Sequence, residues 1–174
     1  IPVAVKILRG GSLGDIRRLH KKFMGSTRMK IFTRYVDRFI AISDEIQQEL
    51  SDIGIPMEKH TFIPNGVDTN YFKPVSETEK QQIRHRLNLP YGRLVIFTGR
   101  LEAEKRLSNL LTVWDQFDDP TANLIIVGTG GQEEELKNIA NDKVHFIGRV
   151  DDVLPYLQAC DIFILPSESE GLSN

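Results

Sequence analysis

Short apolar runs alternate with amphipathic segments along the first part of the chain. After an opening strand over 3–8, apolar positions at 16, 19 and 23 recur at helical spacing, with cations on the opposite face. A break at Gly25-Ser26 precedes a second helical stretch over 29–36, and 38–42 follows as a short strand. Ser43 is a typical N-cap for a helix that ends near Gly54. The dipeptide at 62–63 is predicted to lie in the next strand.

From residue 77 onward, predicted strands and helices alternate. The helices are predicted over 77–87, 105–117, 132–139 and 153–157, and the strands over 94–98, 124–127, 144–147 and 161–165. Apolar strands separated by helices of about ten residues indicate crossover connections and a parallel sheet covered on both faces. The predicted class is α/β, a doubly wound parallel sheet of Rossmann-like type. Its ligand crevice lies beyond the carboxyl ends of the strands, at the loops that contain Gly99, Gly128, Gly148 and Pro166.

A stretch of turn-forming residues separates these two parts. It contains Pro64-Asn65-Gly66-Val67-Asp68 and Tyr71-Phe72-Lys73-Pro74, whose prolines interrupt a helix or a central strand. We place a domain boundary here, with residues 1–74 in one domain and 75–174 in the next. Because the chain opens on Ile1 rather than Met and stops in a loop after a strand, we expect further structure on both sides.

The composition is that of an ordinary soluble globular protein, with 40% hydrophobic and 26% charged residues. No apolar run approaches the roughly 20 residues that cross a bilayer, and the opening segment lacks the layout of a signal peptide. The single cysteine, Cys160, stands in an apolar run typical of a protein core. One cysteine forms no disulfide framework, so the cytoplasm is the default location.

Charge is distributed unevenly along the chain. Residues 1–75 contain 12 Lys and Arg against 8 Asp and Glu, a net +4, whereas 76–174 contain 10 against 16, a net −6. Between Lys6 and Arg38, ten cations face only two aspartates. Such a patch favours an anionic partner, and a solvated helix face is the alternative. Nucleic acid is not the partner we expect, because interleaved aromatic residues are sparse and the second half is acidic.

A phosphate-binding site is predicted where the first strand of the second part ends. Arg100 directly follows that strand, and Lys105 stands at the start of the next predicted helix. Free backbone N–H groups and the positive end of the helix dipole favour an anion, and arginine adds a bidentate fork for phosphate oxygens. A pyrophosphate is the natural ligand. The alternative is that Arg100 and Lys105 pair with Glu102 and Glu104 at the surface.

Two other strand-end loops carry candidate chemistry. The loop Gly128-Thr129-Gly130-Gly131 has its third glycine one position too early for a dinucleotide fingerprint. We interpret it as a tight turn into a helix whose acidic first turn, 133–135, complements the dipole. Glu170 follows the last strand on the same rim as Arg100, where a carboxylate accepts hydrogen bonds from sugar hydroxyls. The chain has no Asp-x-Asp and no histidines at ligand spacing, so we predict no metal site.

The ordered set of motifs resembles the retaining nucleotide-sugar glycosyltransferases of the family 4 (group 1) type, which have the two-domain GT-B fold. These motifs are Phe39-Ile40-Ala41-Ile42-Ser43, Ile63-Pro64-Asn65-Gly66-Val67-Asp68, Tyr71-Phe72-Lys73-Pro74, Gly99-Arg100-Leu101 with Glu104-Lys105, Leu124-Ile125-Ile126-Val127-Gly128 with Gly130, Val144-His145-Phe146-Ile147-Gly148, and Pro166-Ser167 with Glu170-Gly171. Each is common by itself, and the ordered set is specific. The resemblance is strongest over 39–174 and implies a GT-B fold that is incomplete at both ends.

The resemblance implies a donor site and a reaction. In that family the residues matching Arg100 and Lys105 bind the donor diphosphate, and the one matching Glu170 contacts the transferred sugar. These three are the implied catalytic residues. The implied donor-binding set is Gly99, Arg100, Lys105, Ile147, Gly148, Glu170 and Gly171, with Ile147 and Gly148 meeting the base through backbone groups.

The implied reaction transfers a sugar from a UDP-, GDP- or ADP-sugar to a glycan or lipid-linked acceptor. The anomeric configuration is retained, and no metal or other cofactor is required. Such transfers belong to polysaccharide, lipopolysaccharide or glycolipid synthesis. The basic stretch over 16–38 would belong to the acceptor-side domain, where we expect it to face an anionic membrane surface on the cytosolic side, or a lipid-phosphate acceptor.

The chain departs from the family pattern in three places. The family's second glutamate, eight positions after the first, falls beyond Asn174, and most of the N-terminal domain would precede Ile1. The family's cleft histidine has no counterpart between Ile1 and Leu19. We therefore expect these 174 residues alone to be inactive in transfer. Two alternatives stay open, a nucleotide-sugar epimerase of GT-B fold and a non-catalytic nucleotide-sugar-binding module.

Overall fold

The chain divides into two α/β units between Val67 and Asp68. The structure is a computed structural model that describes residues 1–8, 10, 14 and 25–167. The division precedes the boundary that we placed after residue 74, because the intervening segment bonds to the second unit. Gln158 Nε2 donates to the carbonyl oxygen of Lys73 at 3.0 Å, and the Tyr71 hydroxyl is hydrogen-bonded to Asp152.

The first unit contains a parallel sheet and two described helices. Its elements are β1 (Ala4–Ile7), α1 (Gly25–Tyr35), β2 (Arg38–Ala41), α2 (Asp44–Asp52) and β3 (His60–Phe62), and the strands stand in the order β1-β2-β3. The Ser43 hydroxyl accepts a hydrogen bond from the Ile46 backbone N–H at 3.4 Å, which confirms the predicted N-cap of α2. Phe39, Ile46 and Leu50 are fully buried between sheet and helix.

The second predicted helix begins earlier than expected, at Gly25 rather than at Met29. Phe32 of this helix and Val36, which directly follows it, pack in the core of the first unit. The predicted break at Gly25-Ser26 concerns the connection to the residues directly before Gly25, which lie outside the described ones. The helix predicted from residue 16 and the glycine-rich loop before it fall mainly on residues outside the described ones.

The second unit is a four-stranded parallel sheet with helices on both faces. Its elements are α3 (Glu77–Arg86), β4 (Arg93–Thr98), α4 (Leu107–Trp114), β5 (Ala122–Val127), α5 (Glu133–Ile139), β6 (Val144–Gly148), α6 (Leu154–Ala159) and β7 (Ile162–Phe163). The strand order is β6-β5-β4-β7. The chain moves outward from β4 to β6 and then returns to the other side of β4. This order confirms the predicted doubly wound sheet, with its switch point between β4 and β7.

Two apolar layers cover this sheet. On one face, α4 and α5 pack against alternate strand residues such as Phe97, Leu124 and Ile126. On the other face, the cluster contains the intervening residues of β4 and β5 together with Tyr156, Leu157 and Cys160. Cys160 is half-buried there, and this burial raises the pKa of its thiol. Every residue of β5 is buried, as expected for a central strand of a doubly covered sheet.

An ion-pair cluster joins α3, β4 and the start of β7. One Asp161 oxygen accepts from the Leu94 N–H at 2.7 Å and from Arg84 Nη2 at 2.8 Å, while Lys80 bonds to the other. Arg84 also donates to the Ala159 carbonyl at 2.8 Å and to the Gly92 carbonyl at 3.1 Å. The cluster therefore joins elements that lie far apart in sequence.

Candidate donor-binding site

The loops that follow three neighbouring strands lie together at the carboxyl edge of the second sheet. The Gly99 N–H donates to the Val127 carbonyl at 3.0 Å, and the Gly128 N–H donates to the Gly148 carbonyl at 2.8 Å. A Cβ atom on Gly128 would lie 1.9 Å from the Gly99 carbonyl oxygen. Only glycine permits this approach, so the sequence-predicted Gly99 and Gly148 are brought together around Gly128.

A second set of contacts joins the loops after β4 and β5. The Leu101 N–H donates to the Thr129 carbonyl at 3.0 Å, and the Gln132 N–H donates back to the Leu101 carbonyl at 2.9 Å. A Cβ atom on Gly130 would lie 2.5 Å from the Leu101 carbonyl oxygen. Gly128 and Gly130 therefore allow the loops after β4 and β5 to pack closely. The predicted tight turn into α5 is confirmed.

Arg100 lies at the surface beside this edge. Its Nη2 is 3.2 Å from Glu104 Oε1, and its side chain is 62% exposed. The surface-pair alternative is therefore confirmed for Arg100 and Glu104, whereas Glu102 accepts a hydrogen bond from the Gly131 N–H at 3.3 Å. Exposed ion pairs contribute only about 0.2–1 kcal/mol, so the guanidinium can exchange Glu104 for phosphate oxygens at little cost.

Lys105 lies two residues before α4 and does not begin that helix. It ends a 3₁₀ turn over Ala103–Lys105, and α4 starts at Leu107, so the predicted helix start at 105 is wrong. The reason is Arg106, whose left-handed backbone, with φ of +53°, separates turn from helix. In this turn the Lys105 N–H donates to the Glu102 carbonyl at 2.9 Å.

The positive end of α4 follows Arg106. The helix has no acidic residue in its first turn, and its N-cap residue, Arg106, makes no side-chain capping bond. The helix dipole therefore reinforces the two predicted cations rather than being neutralised within the helix. An anion beside the loop after β4 would be favoured by both effects.

The remaining predicted site residues lie at the carboxyl end of β6 or follow β7. The Ile147 side chain is half-buried in the apolar layer that contains Leu94 and Ile125, so a ligand role for Ile147 rests on its backbone. Gly148 has a left-handed φ of +80° and uses its carbonyl to hold Gly128. Glu170 and Gly171 lie outside the described residues.

Ser167, which follows β7, has no role predicted from the sequence. The loop at Pro166 was predicted to line the crevice, but only the strand order shows that it follows the strand next to β4. A signal was present in the sequence, since Pro166 follows the strand predicted over 161–165 and a hydroxyl directly after it is expected at the same edge. Among the described residues, no group of three or more His, Cys, Asp or Glu side chains is placed to hold a metal ion.

Two family models match the chain, one in each unit. Residues 92–174 match the model described as "Glycosyl transferases group 1", and residues 11–71 match the model described as "Glycosyltransferase Family 4". The first match covers the loops after β4, β5, β6 and β7, where the predicted site residues lie. The two matches support the glycosyltransferase resemblance in both parts of the chain.

Curated relatives and a solved structure agree with these matches. The chain is 33% identical over 117 residues to the GDP-mannose-dependent monoacylated alpha-(1-6)-phosphatidylinositol monomannoside mannosyltransferase of Corynebacterium glutamicum, a match that covers 63% of this chain and 31% of that protein. It is 26% identical over 158 residues to the N,N'-diacetylbacillosaminyl-diphospho-undecaprenol alpha-1,3-N-acetylgalactosaminyltransferase of Campylobacter jejuni, covering 86% of this chain and 41% of that protein. The crystal structure of Anabaena HepE in complex with UDP superposes with a TM-score of 0.80 and 22% identity, over 95% of this chain and 47% of that one. The chain thus has the parallel α/β architecture of GT-B proteins and spans less than half of the length of each of these three.

Proposed function

From this GT-B architecture and these two family matches, we propose that the chain is part of a glycosyltransferase that moves a sugar from a nucleoside-diphosphate sugar to a glycan or lipid-linked acceptor. The observation that carries the proposal is the edge at the β4–β7 switch point, where Arg100 and the positive end of α4 follow the same strand. A diphosphate fits such an edge because cation and dipole both favour it. One relative is named as GDP-mannose-dependent, and the structural neighbour HepE is in complex with UDP, which is consistent with this class of ligand.

The proposed chemistry depends on charge stabilisation of the leaving group. Negative charge grows on the diphosphate as the bond to the sugar breaks, and Arg100, Lys105 and the positive end of α4 would stabilise it. Removing one such group from an active site typically costs on the order of 3 kcal/mol of transition-state stabilisation. Because protein cations do this work, we propose that the transfer requires no metal ion.

The finer assignments follow from the resemblance. We propose transfer of a hexose-type sugar with retained anomeric configuration, from a UDP-, GDP- or ADP-sugar, in polysaccharide, lipopolysaccharide or glycolipid synthesis. Glu170 would orient the transferred sugar, and Gly171 would belong to the donor-binding set. Because these 174 residues alone are expected to be inactive in transfer, ligand binding is the sharper measurement.

Thermal unfolding with added nucleotides tests the donor site. We expect one of UDP, GDP and ADP to raise the melting temperature of the chain in EDTA, because a ligand that binds only the folded state stabilises it. At about one hundred times the dissociation constant the gain is about 2.7 kcal/mol, a shift of several degrees for a unit of this size. NAD is the control and should give no shift. If no nucleoside diphosphate shifts the transition, the proposed function is wrong.

The described part of the basic stretch supports a membrane contact. Helix α1 contains no acidic residue and exposes Arg28, Lys30 and Arg34. Ile31 and Tyr35 are 53% and 68% exposed. Cations beside exposed apolar and aromatic side chains are typical of helices that lie on anionic membranes. We therefore propose that α1 makes a peripheral contact with an anionic membrane surface. None of the described helices is long and apolar enough to cross a membrane.

Co-sedimentation with vesicles tests this contact. We expect the chain to bind vesicles rich in phosphatidylserine more strongly than neutral phosphatidylcholine vesicles. Substituting Arg28→Ser and Arg34→Ser together should weaken binding by roughly thirtyfold, at about 1 kcal/mol for each cation. The matched control is Arg86→Ser with Lys143→Ser, which removes two exposed cations from the second unit. Equal binding to both kinds of vesicle would contradict the proposal.

A further inference from the structure

The Ser167 hydroxyl is buried and lacks a hydrogen-bond partner. In the described part of the second unit, its Oγ is the one buried side-chain oxygen or nitrogen without such a partner. Burying a hydroxyl without a hydrogen bond costs free energy, so most buried hydroxyls in folded proteins are paired. Where such a group persists, a ligand that completes its hydrogen bonding is a specific explanation.

Ser167 lies in the loop that follows β7. Strand β7 pairs with β4 so that Phe163 lies opposite Ile96, and the Ile164 N–H still donates to the Ile96 carbonyl at 2.8 Å. The pairing ends there, and Pro166, which has no N–H, cannot donate to the sheet. The loop that contains Ser167 therefore begins at the same carboxyl edge as the loop that contains Arg100.

This position is the switch point of the doubly wound sheet. Ligands of such sheets bind outside the carboxyl ends of the two strands at which the strand order reverses, here β4 and β7. Arg100 follows one of these strands and Ser167 the other. One residue therefore supplies a cation and the other a hydroxyl that can donate one hydrogen bond and accept others.

We propose that Ser167 is a further donor-binding residue, whose hydroxyl donates a hydrogen bond to an oxygen of the nucleotide's diphosphate. This inference rests on the proposed function. It assigns a ligand contact to Ser167, for which the sequence gives only a place in the motif Pro166-Ser167. A diphosphate oxygen is charged, so a bond from a buried hydroxyl to it is stronger than one between neutral groups. No bond in the ligand is made or broken through Ser167.

The test compares Ser167→Ala with the unsubstituted chain in two measurements. The first is the melting temperature without ligand, which should not fall, because alanine removes a polar atom that has no partner to lose. The second is the dissociation constant for the nucleoside diphosphate that stabilises the chain, which should rise by about tenfold or more. Thr112→Ala, which removes an exposed hydroxyl bonded to the Ser108 carbonyl, is the control and should leave that constant unchanged.

The outcomes separate this inference from the function it rests on. If the unsubstituted chain binds a nucleoside diphosphate and Ser167→Ala binds it equally well, the role of Ser167 is wrong and the proposed function stands. A clearly lowered melting temperature of the ligand-free variant would also overturn the inference, because the hydroxyl would then have a structural partner. If UDP, GDP and ADP all fail to bind the unsubstituted chain, both proposals are wrong.

Discussion

Replacing Arg100 with alanine is expected to weaken binding of the cognate nucleoside diphosphate by about 10- to 100-fold, because the proposed charge-assisted contact of its guanidinium to phosphate would be lost. Stability should change little. The guanidinium is 62% exposed and its partner in the structure is Glu104 at 3.2 Å, a surface pair of small energetic value. The measurements are titration calorimetry with UDP, GDP and ADP, and chemical denaturation without ligand.

Arg93→Ala is the matched control for this experiment. Arg93 and Arg100 flank the same strand, the first at its amino end and the second beyond its carboxyl end. Arg93 is also exposed, at 53%, and pairs with Asp119 at 2.9 Å. Both substitutions remove one cation and one surface ion pair, so a general loss of charge should affect them equally. Equal weakening in the two variants would contradict a diphosphate site at the carboxyl edge.

Asp161→Asn is expected to destabilise the second unit by about 2–4 kcal/mol. The carboxylate accepts from Lys80, Arg84 and the Leu94 N–H, and asparagine presents only one acceptor oxygen. The Arg84 side chain is 11% exposed, so the variant leaves a nearly buried cation without its counter-charge. Chemical denaturation measures the loss, and Asp118→Asn at the exposed surface is the control. A loss below about 0.5 kcal/mol, the range of ordinary surface substitutions, would contradict a structural role for the cluster.

The same carboxylate gives the unfolding free energy a defined pH dependence. Burial alone would raise the pKa of Asp161, but hydrogen bonds from Lys80, the Leu94 N–H and Arg84 outweigh it and lower the pKa below its usual value. As the pH falls, Asp161 is therefore protonated in the unfolded chain before it is protonated in the folded one. The contribution of Asp161 to the unfolding free energy is complete above its unfolded pKa of about 3.9 and is lost as the pH falls through the lower folded pKa. We expect Asp161→Asn to flatten the decline in stability between about pH 5 and pH 3. Glu79 and Asp119, whose pKa values are also lowered by hydrogen bonds, stay in both proteins and contribute to the slope that remains.

Elements were predictable where local pattern and burial agree. The apolar run of β5, the Ser43 cap of α2 and the alternation after residue 77 all depend on residues close together in sequence. The start of α4 was not predictable, because the left-handed backbone of Arg106 breaks a segment whose apolar spacing continues into the helix. The division between the two units, which lies after Val67 rather than after residue 74, was not predictable either. It depends on bonds from Lys73 and Tyr71 to residues more than eighty positions away, in α6 and the loop before it.

The sequence by itself determined the α/β class, the edge of the sheet on which a ligand would lie, and the cation Arg100 at that edge. These follow from periodicity and from the rule that loops after parallel strands share one edge. Only the tertiary structure decided which loops are neighbours, because strand order depends on packing between distant segments. It placed β7 beside β4, joined Gly99 and Gly148 around Gly128, and left the Ser167 hydroxyl buried without a partner. Hydrogen-bond satisfaction is a property of the folded surroundings, so no pattern along the chain could have shown it.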